Sequence, residues 1–265
     1  GEEMDITIIG AGNMGGAIAS ALSENENYNV SIYDKNIEAS NKTAQGKKIN
    51  AISSFDEIEA KDIVLIALKP QVLPSMYAKL SQLKPKMFIS IAAGVSLQTL
   101  EKNISDAIPI VRFMPNIAAK TKKAVTAVAT NGNVDDKCKK IAMDVASSFG
   151  SAFELDEKLF PAFIGISGSA IAYVFEFMHQ IAMGGVREGI PYKNALDIAR
   201  DTLISATSLQ KESNLSAIEL ETMVCSAGGT TIEGIKALDD GSFAKTVINA
   251  VSAAAERSRE LEKNA

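Results

Sequence analysis

Cysteine, histidine, basic surplus and long apolar runs are all scarce in this chain of 265 residues. Its two cysteines, Cys138 and Cys225, argue against a disulfide scaffold and suit a reducing, cytoplasmic compartment. Neither lies in a CxxC or Cys/His cluster, so no metal site is expected. The single histidine, His179, falls mid-helix between Met178 and Ile181 and reads as a satisfied helix residue. Without it no Ser/His/Asp or Cys/His array can be assembled, and paired carboxylates in a catalytic setting are also missing. A net charge of −5 offers nucleic acid no basic surplus, and the groups Lys120, Lys122, Lys123 and Lys137, Lys139, Lys140 read as solvated faces. No run of about 18 apolar residues and no signal-peptide pattern stands out, which argues against a membrane span or secretion. Gly1 to Glu3 precede Met4, read as a cloning remnant, and are set aside from functional reasoning. The chemistry left open needs few acid–base groups: hydride transfer asks the protein mainly for positioning.

What is present starts at Asp5 with DITIIGAGNMGG. A β-branched run (Ile6, Ile8, Ile9) feeds into Gly10, Gly12 and Gly15 at the GxGxxG spacing, followed by Ile18, Ala19, Ala21 and Leu22 at helical spacing. The three glycines divide the work of a dinucleotide site: a tight strand-to-helix turn, backbone approach to a diphosphate, and close helix–strand packing. The helix start adds unpaired N–H groups and a positive dipole end. A second apolar run, VSIYD, ends in Asp34. A carboxylate there accepts bonds from the ribose 2′-hydroxyl of NAD and repels the 2′-phosphate of NADP, whereas Lys35 and Asn36 offer that phosphate partial relief. NADH and NADPH both remain open.

The first 150 residues alternate strand-like segments (Asp5–Ile9, Asn29–Tyr33, Ile63–Ala67, Met87–Ile91, Ile110–Met114, Val125–Ala129) with helical ones. That alternation predicts an α/β domain, a Rossmann-type doubly wound, mostly parallel sheet over residues 1–156. From 157 to 265 the pattern is all-helical, with helices expected over 157–190, 193–212, 216–225 and 230–263. Ser216/Glu219 and Thr230/Glu233 match capping boxes, and Gly241 reads as a helix stop. The segment from Ile164 to Ile181 is apolar around most of its circumference, which calls for cover by a second copy or, alternatively, for a self-sufficient bundle.

Ligands of parallel sheets bind beyond the carboxyl ends of the strands. The residues there are Ala67, Lys69 and Pro70 after the third predicted strand, Ala93 and Gly94 after the fourth, and Met114-Pro115-Asn116 after the fifth. Each alone reads as structural; together they border one crevice. In the helical half, CSAGGTTIEG (Cys225–Gly234) is either an anion-binding nest of successive N–H groups with two threonine hydroxyls beside it, or a well-capped corner between helices.

The motifs GAGNMGGAI, LIALKPQ, SIAAGVSLQTLE, RFMPN and CSAGGTTIEGIKAL, in this order and spacing, resemble the pyrroline-5-carboxylate reductase family over nearly the whole chain. The resemblance implies reduction of 1-pyrroline-5-carboxylate to L-proline with NADPH or NADH, a helical domain that forms a homodimer, and dimers assembling into decamers. Neither nucleic acid nor membrane is implied as a partner. Carried over, Gly12, Asn13 and Met14 meet the cofactor phosphates and Asp34 the ribose. Ala67, Lys69 and Pro70 flank the path to the nicotinamide, with Ala93, Gly94 and Asn116 beside it. Ser226, Gly229, Thr230 and Thr231 hold the substrate carboxylate, Thr231 contacts the pyrroline nitrogen, and the site is shared between subunits. Three departures from the family pattern remove prolines: Ile171 in SGSAIAY, Ala227 in the carboxylate loop, and Ile117-Ala118 after Asn116. Such losses relax loops without deleting donors. They leave another imine or small-acid reductase, or a non-catalytic nucleotide-binding regulator, as alternatives.

Overall fold

A computed structural model describes residues 3–264. Gly1, Glu2 and Ala265, the outermost positions of the segments considered above, lie outside the described residues. The elements run β1 (Met4–Ile9), α1 (Asn13–Ser23), β2 (Tyr28–Tyr33), α2 (Ile37–Ala44), β3 (Ile49–Ile52), β4 (Ile63–Ile66), α3 (Leu73–Leu80), β5 (Met87–Ser90), α4 (Leu97–Asn103), β6 (Ile110–Met114), β7 (Ala124–Thr130), α5 (Asp136–Ser147) and β8 (Gly150–Glu154). The helices α6 (Phe160–Ile166), α7 (Ala170–Arg187), α8 (Tyr192–Glu212), α9 (Ala217–Val224), α10 (Thr230–Asp240) and α11 (Phe243–Lys263) follow.

The eight strands form one sheet in the order β3-β2-β1-β4-β5-β6-β7-β8. All neighbours pair in parallel except β6 with β7, which are antiparallel. The chain order reverses between β1 and β4, so the turns after these strands open the crevice at which such sheets bind ligands. In β4, β5 and β6 every residue is buried, as expected of strands covered on both faces. Two strands escape the sequence reading. β3 carries only Ile49 and Ile52 as buried apolar residues, and β8 is largely exposed, with Phe153 at 53%. Edge strands need no continuous apolar run, so periodicity passes over them.

Compact packing divides the chain into two units: one through Gly168 together with Ala254 onward, the other Ser169–Ala253. In the first, buried residues form a core on each face of the sheet, one including Ile8, Ile18 and Leu22, the other Ile66, Phe88, Leu100 and Phe160. In the second, the fully packed core is three alanines, Ala182, Ala195 and Ala199, with Met178 and Leu196 against them.

Two local expectations need correction. By length and composition the stretch 157–187 is long and apolar enough to cross a membrane, contrary to the reading of no such run; glycines and serines interrupt its apolar residues without adding charge. It is not one rod, because a turn at Ser167–Ser169 separates α6 from α7, and Phe160 and Phe163 are buried in the sheet unit. The Thr230/Glu233 capping box does not form either: the N-cap of α10 is Gly229, and no side chain caps that helix. The Ser216/Glu219 box does form, with Ser216 Oγ accepting the Glu219 N–H and Glu219 Oε2 accepting the Ser216 N–H.

Candidate active site

The turn after β1 shows the three glycine roles separated in space. Gly10 has φ +113°, and a Cβ there would lie 2.3 Å from the Ala67 carbonyl oxygen. A Cβ on Gly15 would lie 2.2 Å from the Gly10 oxygen, so these two positions are closed by β1 and β4 packing against the helix. Gly12 is the opposite case, with nothing within 4 Å of an added Cβ. The space over Gly12 is therefore free for a ligand to reach the backbone. No side chain caps α1, and its first turn carries no acidic residue, so its N–H groups and dipole end are available to an anion. These are the features a dinucleotide diphosphate requires, and Gly12, Asn13 and Met14 line a cleft of about 1030 Å³.

Asp34 closes this turn from the side of β2. Its Oδ2 accepts the Ala11 N–H at 2.7 Å and its Oδ1 accepts the Asn36 N–H at 2.8 Å. The tie between β2 and the glycine turn is thus made by a side chain predicted from the sequence. Lys35 is exposed beside it. The cleft is also walled by Lys42, Lys47, Lys120 and Lys122, residues that sequence reasoning missed or treated as solvent-facing. Lys122 is held by an ion pair with Glu24. A lysine run shows charge in the sequence but not which ligand it faces, so no signal pointed here.

Gly10, Gly15, Asp34 and Lys35 are not part of that lining, and the remaining predicted cofactor residues stand at the carboxyl ends of β4, β5 and β6. Lys69 is exposed, and its carbonyl accepts the N–H groups of Val72 and Leu73 to start α3. Gly94 takes φ +73° in the turn before α4, next to exposed Ala93. Asn116 is 7% exposed; its Oδ1 accepts the N–H of Ala118 at 3.2 Å and of Val125 at 3.3 Å, which leaves the amide NH₂ to donate elsewhere.

Behind these turns lies Arg112 on β6, 1% exposed. Its Nη1 donates to Glu157 Oε2 at 3.0 Å, its guanidinium stacks 4.7 Å from the Phe160 ring centre, and Glu262 lies 3.8 Å from Nη2. Glu157 Oε2 also accepts the Leu97 N–H at 2.9 Å. One carboxylate therefore joins the start of α4, which follows the Gly94 turn, to the strand that leads into Asn116. An arginine inside the apolar run IVRFM was the available clue. Removing one partner of a buried pair of this kind is costlier than removing both.

The second unit holds the other predicted residues. Gly229 N–H donates to the Ser226 carbonyl at 3.0 Å, closing a turn in which Gly228 has φ +67°. A Cβ on Gly229 would lie 2.5 Å from Ser226 Oγ, so a larger residue there would turn the serine hydroxyl away from its place over the turn. The turn consumes the Gly229 N–H, which shortens the predicted nest to the uncapped start of α10 at Thr230 and Thr231. Thr231 is half-buried and Thr230 exposed. Elsewhere in this unit His179 Nδ1 meets the Tyr192 hydroxyl at 2.8 Å, and the Tyr173 hydroxyl donates to the Ala250 carbonyl at 3.2 Å.

Residues 157–261 match the family model for pyrroline-5-carboxylate reductase dimerisation, and residues 5–94 the model described as NADP oxidoreductase, coenzyme F420-dependent. A pyrroline-5-carboxylate reductase of Methanosarcina acetivorans is 36% identical, with 99% of each chain covered. The crystal structure of a 1-pyrroline-5-carboxylate reductase from Streptococcus pyogenes superposes with a TM-score of 0.83 at 32% identity, covering 97% of this chain and 99% of that one. A Plasmodium falciparum pyrroline carboxylate reductase solved with NADP bound gives 0.80 at 28% identity, covering 99% and 100%.

Proposed function

Because this chain belongs to the pyrroline-5-carboxylate reductase family, we propose that its glycine turn and its threonine corner hold the two anions of one reaction. The protein is an NAD(P)-dependent oxidoreductase that reduces 1-pyrroline-5-carboxylate to L-proline in proline biosynthesis. The carrying observation for the residue assignment is the pair of uncapped helix starts, α1 after Gly12 and α10 after Gly229. Each presents free N–H groups at a glycine, which suits a diphosphate and a carboxylate respectively.

When bound, NAD(P)H supplies the hydride that the C=N carbon of the pyrroline accepts. Gly10, Gly12, Asn13, Met14 and Gly15 shape the diphosphate site, and Asp34 with Lys35 meets the adenosine ribose. Ala67, Lys69 and Pro70 flank the cofactor, while Ala93, Gly94 and Asn116 border the nicotinamide. Ser226, Thr230 and Thr231 grip the substrate carboxylate, and Gly229, whose N–H is bonded to the Ser226 carbonyl, shapes the turn that presents them. The Thr231 hydroxyl orients the ring nitrogen and relays a proton to it from water, so the nitrogen gains its proton as the carbon is reduced. Positioning of this kind accounts for much of what a hydride-transfer enzyme contributes.

The chain carries a dimerisation domain and so self-associates. We read the pairing surface as the helical domain from residue 157, with residues 1–156 as the cofactor domain, and dimers assembling further into decamers. Cys138 and Cys225 are both free thiols, which supports a cytoplasmic, reducing location.

Oxidation of NADH and NADPH, followed by absorbance with pyrroline-5-carboxylate present and absent, tests the reaction. Thr231→Ala tests the assignment: kcat should drop roughly 10²–10⁴-fold, the usual worth of a positioned proton donor, with nucleotide affinity little changed. An unaltered kcat/KM in that variant removes Thr231 from the mechanism.

A further inference from the structure

We propose that this chain selects the cofactor lacking a 2′-phosphate, NADH over NADPH, because Asp34 is pinned in the position that phosphate would need. The inference rests on the reading that the adenosine ribose lies at the end of β2.

The carboxylate cannot easily move aside. Each of its oxygens holds a backbone N–H, Ala11 at 2.7 Å from Oδ2 and Asn36 at 2.8 Å from Oδ1. Bonds from N–H to an ionised carboxylate are of the stronger, charge-assisted kind. Swinging Asp34 away would leave both donors unmatched, with the Gly10 N–H to Tyr33 carbonyl bond still joining the glycine turn to β2. A carboxylate oxygen with one N–H bond still has acceptor capacity for a ribose hydroxyl. Against a phosphate the same oxygens present only negative charge, and like charges placed together in a binding site cost affinity.

The start of α2, the nearest helix end, does not compensate. Three of its N–H groups are already used by the chain itself: Asn36 Oδ1 accepts the Glu38 N–H at 3.2 Å, and the Asn36 carbonyl accepts the N–H groups of Ala39 at 3.1 Å and Ser40 at 3.4 Å. Glu38, in the first turn of α2, adds a second negative charge. The adjacent cation is Lys35, an exposed ammonium on a flexible stem. It offers a point charge rather than the planar fork with which arginine grips phosphate. Of the other lysines that wall the cleft, Lys122 is paired with Glu24 and Lys47 donates to the Thr43 carbonyl; the fixed carboxylate outweighs the mobile ammonium groups of Lys35, Lys42 and Lys120.

Isothermal titration with ADP-ribose and with its 2′-phosphorylated counterpart reads this without any turnover. The wild-type protein should bind ADP-ribose roughly 10- to 100-fold tighter, a difference of about 1.4–2.8 kcal/mol. Raising the salt concentration should narrow the gap. In Asp34→Ser the gap should close or reverse. Asp34→Asn, which keeps the shape, should narrow it too and carries the test if the serine variant does not fold. Equal affinity for both probes, or tighter binding of the phosphorylated one, overturns the proposal while leaving the nucleotide site in place. So does an Asp34→Asn variant whose ratio matches wild type. Failure of the wild type to bind either probe overturns the nucleotide-site reading along with it.

Discussion

In the sheet unit, the glycine turn is backed by Ile8, Ile9, Ile66 and Ile18, none of which retains accessible surface. In the helical unit the deeply buried residues are small, Ala182, Ala195 and Ala199, while Phe175 at 54%, Ile198 at 55%, Ile204 at 56% and Ile248 at 65% face outward. The two units have similar alternatives open to them in sequence, since both are rich in apolar residues, but they use them differently. The first buries its large side chains within itself. The second leaves them on its surface, where contiguous apolar area marks an association site. The contrast teaches that the glycine turn rests on one chain's own core, whereas the threonine corner belongs to a unit whose large apolar side chains stay uncovered, and which the proposed reading covers with another copy.

The sharpest way to break this contrast is at the glycines. Gly10→Ala should destabilise the sheet unit by roughly 3–5 kcal/mol, since it combines a positive φ with a backbone clash. Gly12→Ala should leave thermal stability almost unchanged and weaken nucleotide binding at least about tenfold, about 1.4 kcal/mol. Thermal melts and nucleotide titrations of both variants decide it; equal losses of stability would mean that Gly12 is a packing residue like its neighbour.

Next comes the outward face of the helical unit. Ile248→Asp should weaken self-association by about 2–4 kcal/mol, as truncating or charging a central contact does. Sedimentation should then show monomer at concentrations where wild type is assembled, with the sheet unit still folded by circular dichroism. An unchanged assembly would show that this helix face is not covered by a partner.

A smaller effect sharpens the substrate corner. Ala227 precedes the positive-φ Gly228 in the turn closed from Ser226 to Gly229, the place where proline is favoured. Ala227→Pro should stabilise the protein by about 0.4–1 kcal/mol through the unfolded chain and lower KM for the imino acid more than it changes kcat. A destabilised variant would mean that the turn needs Ala227 to sample other backbone angles.

The smallest concerns pH. Backbone and hydroxyl bonds from Ser216 hold the Glu219 carboxyl below its ordinary value of 4.5. A carboxyl lowered on folding contributes stability above its unfolded value and loses it as pH falls through the folded one. Acid should therefore loosen the start of α9 at pH below 4.5 in wild type, and Glu219→Gln should flatten that limb of the stability profile. An identical acid limb in both proteins would show the capping box contributes nothing measurable.

Much of the fold was legible because its signals are local. β1, α1 and the glycines between them follow from residue types over a dozen positions, and the ends of β6 fall where its apolar run and flanking residues put them. β3 and β8 were not legible, since an edge strand is defined by its neighbour and not by its own apolar content. The Thr230 cap does not form because the helix starts one residue earlier, with Gly229 at the N-cap and Thr230 inside the first turn. Asp34 was legible as a candidate ribose contact, but its two backbone donors were not.

The sequence by itself determined the alternation of strand and helix, the glycine spacing and the threonine corner, because each is set by backbone and side-chain preferences within one or two turns of chain. Only the tertiary structure decided that Arg112 and Glu157 tie the crevice loops together, that Asp34 is locked by Ala11 and Asn36, and which apolar residues of the helices remain uncovered. Those outcomes join positions as far apart as 60 residues in the chain, and burial or hydrogen bonding across such separations exists only once the packing has brought the partners together.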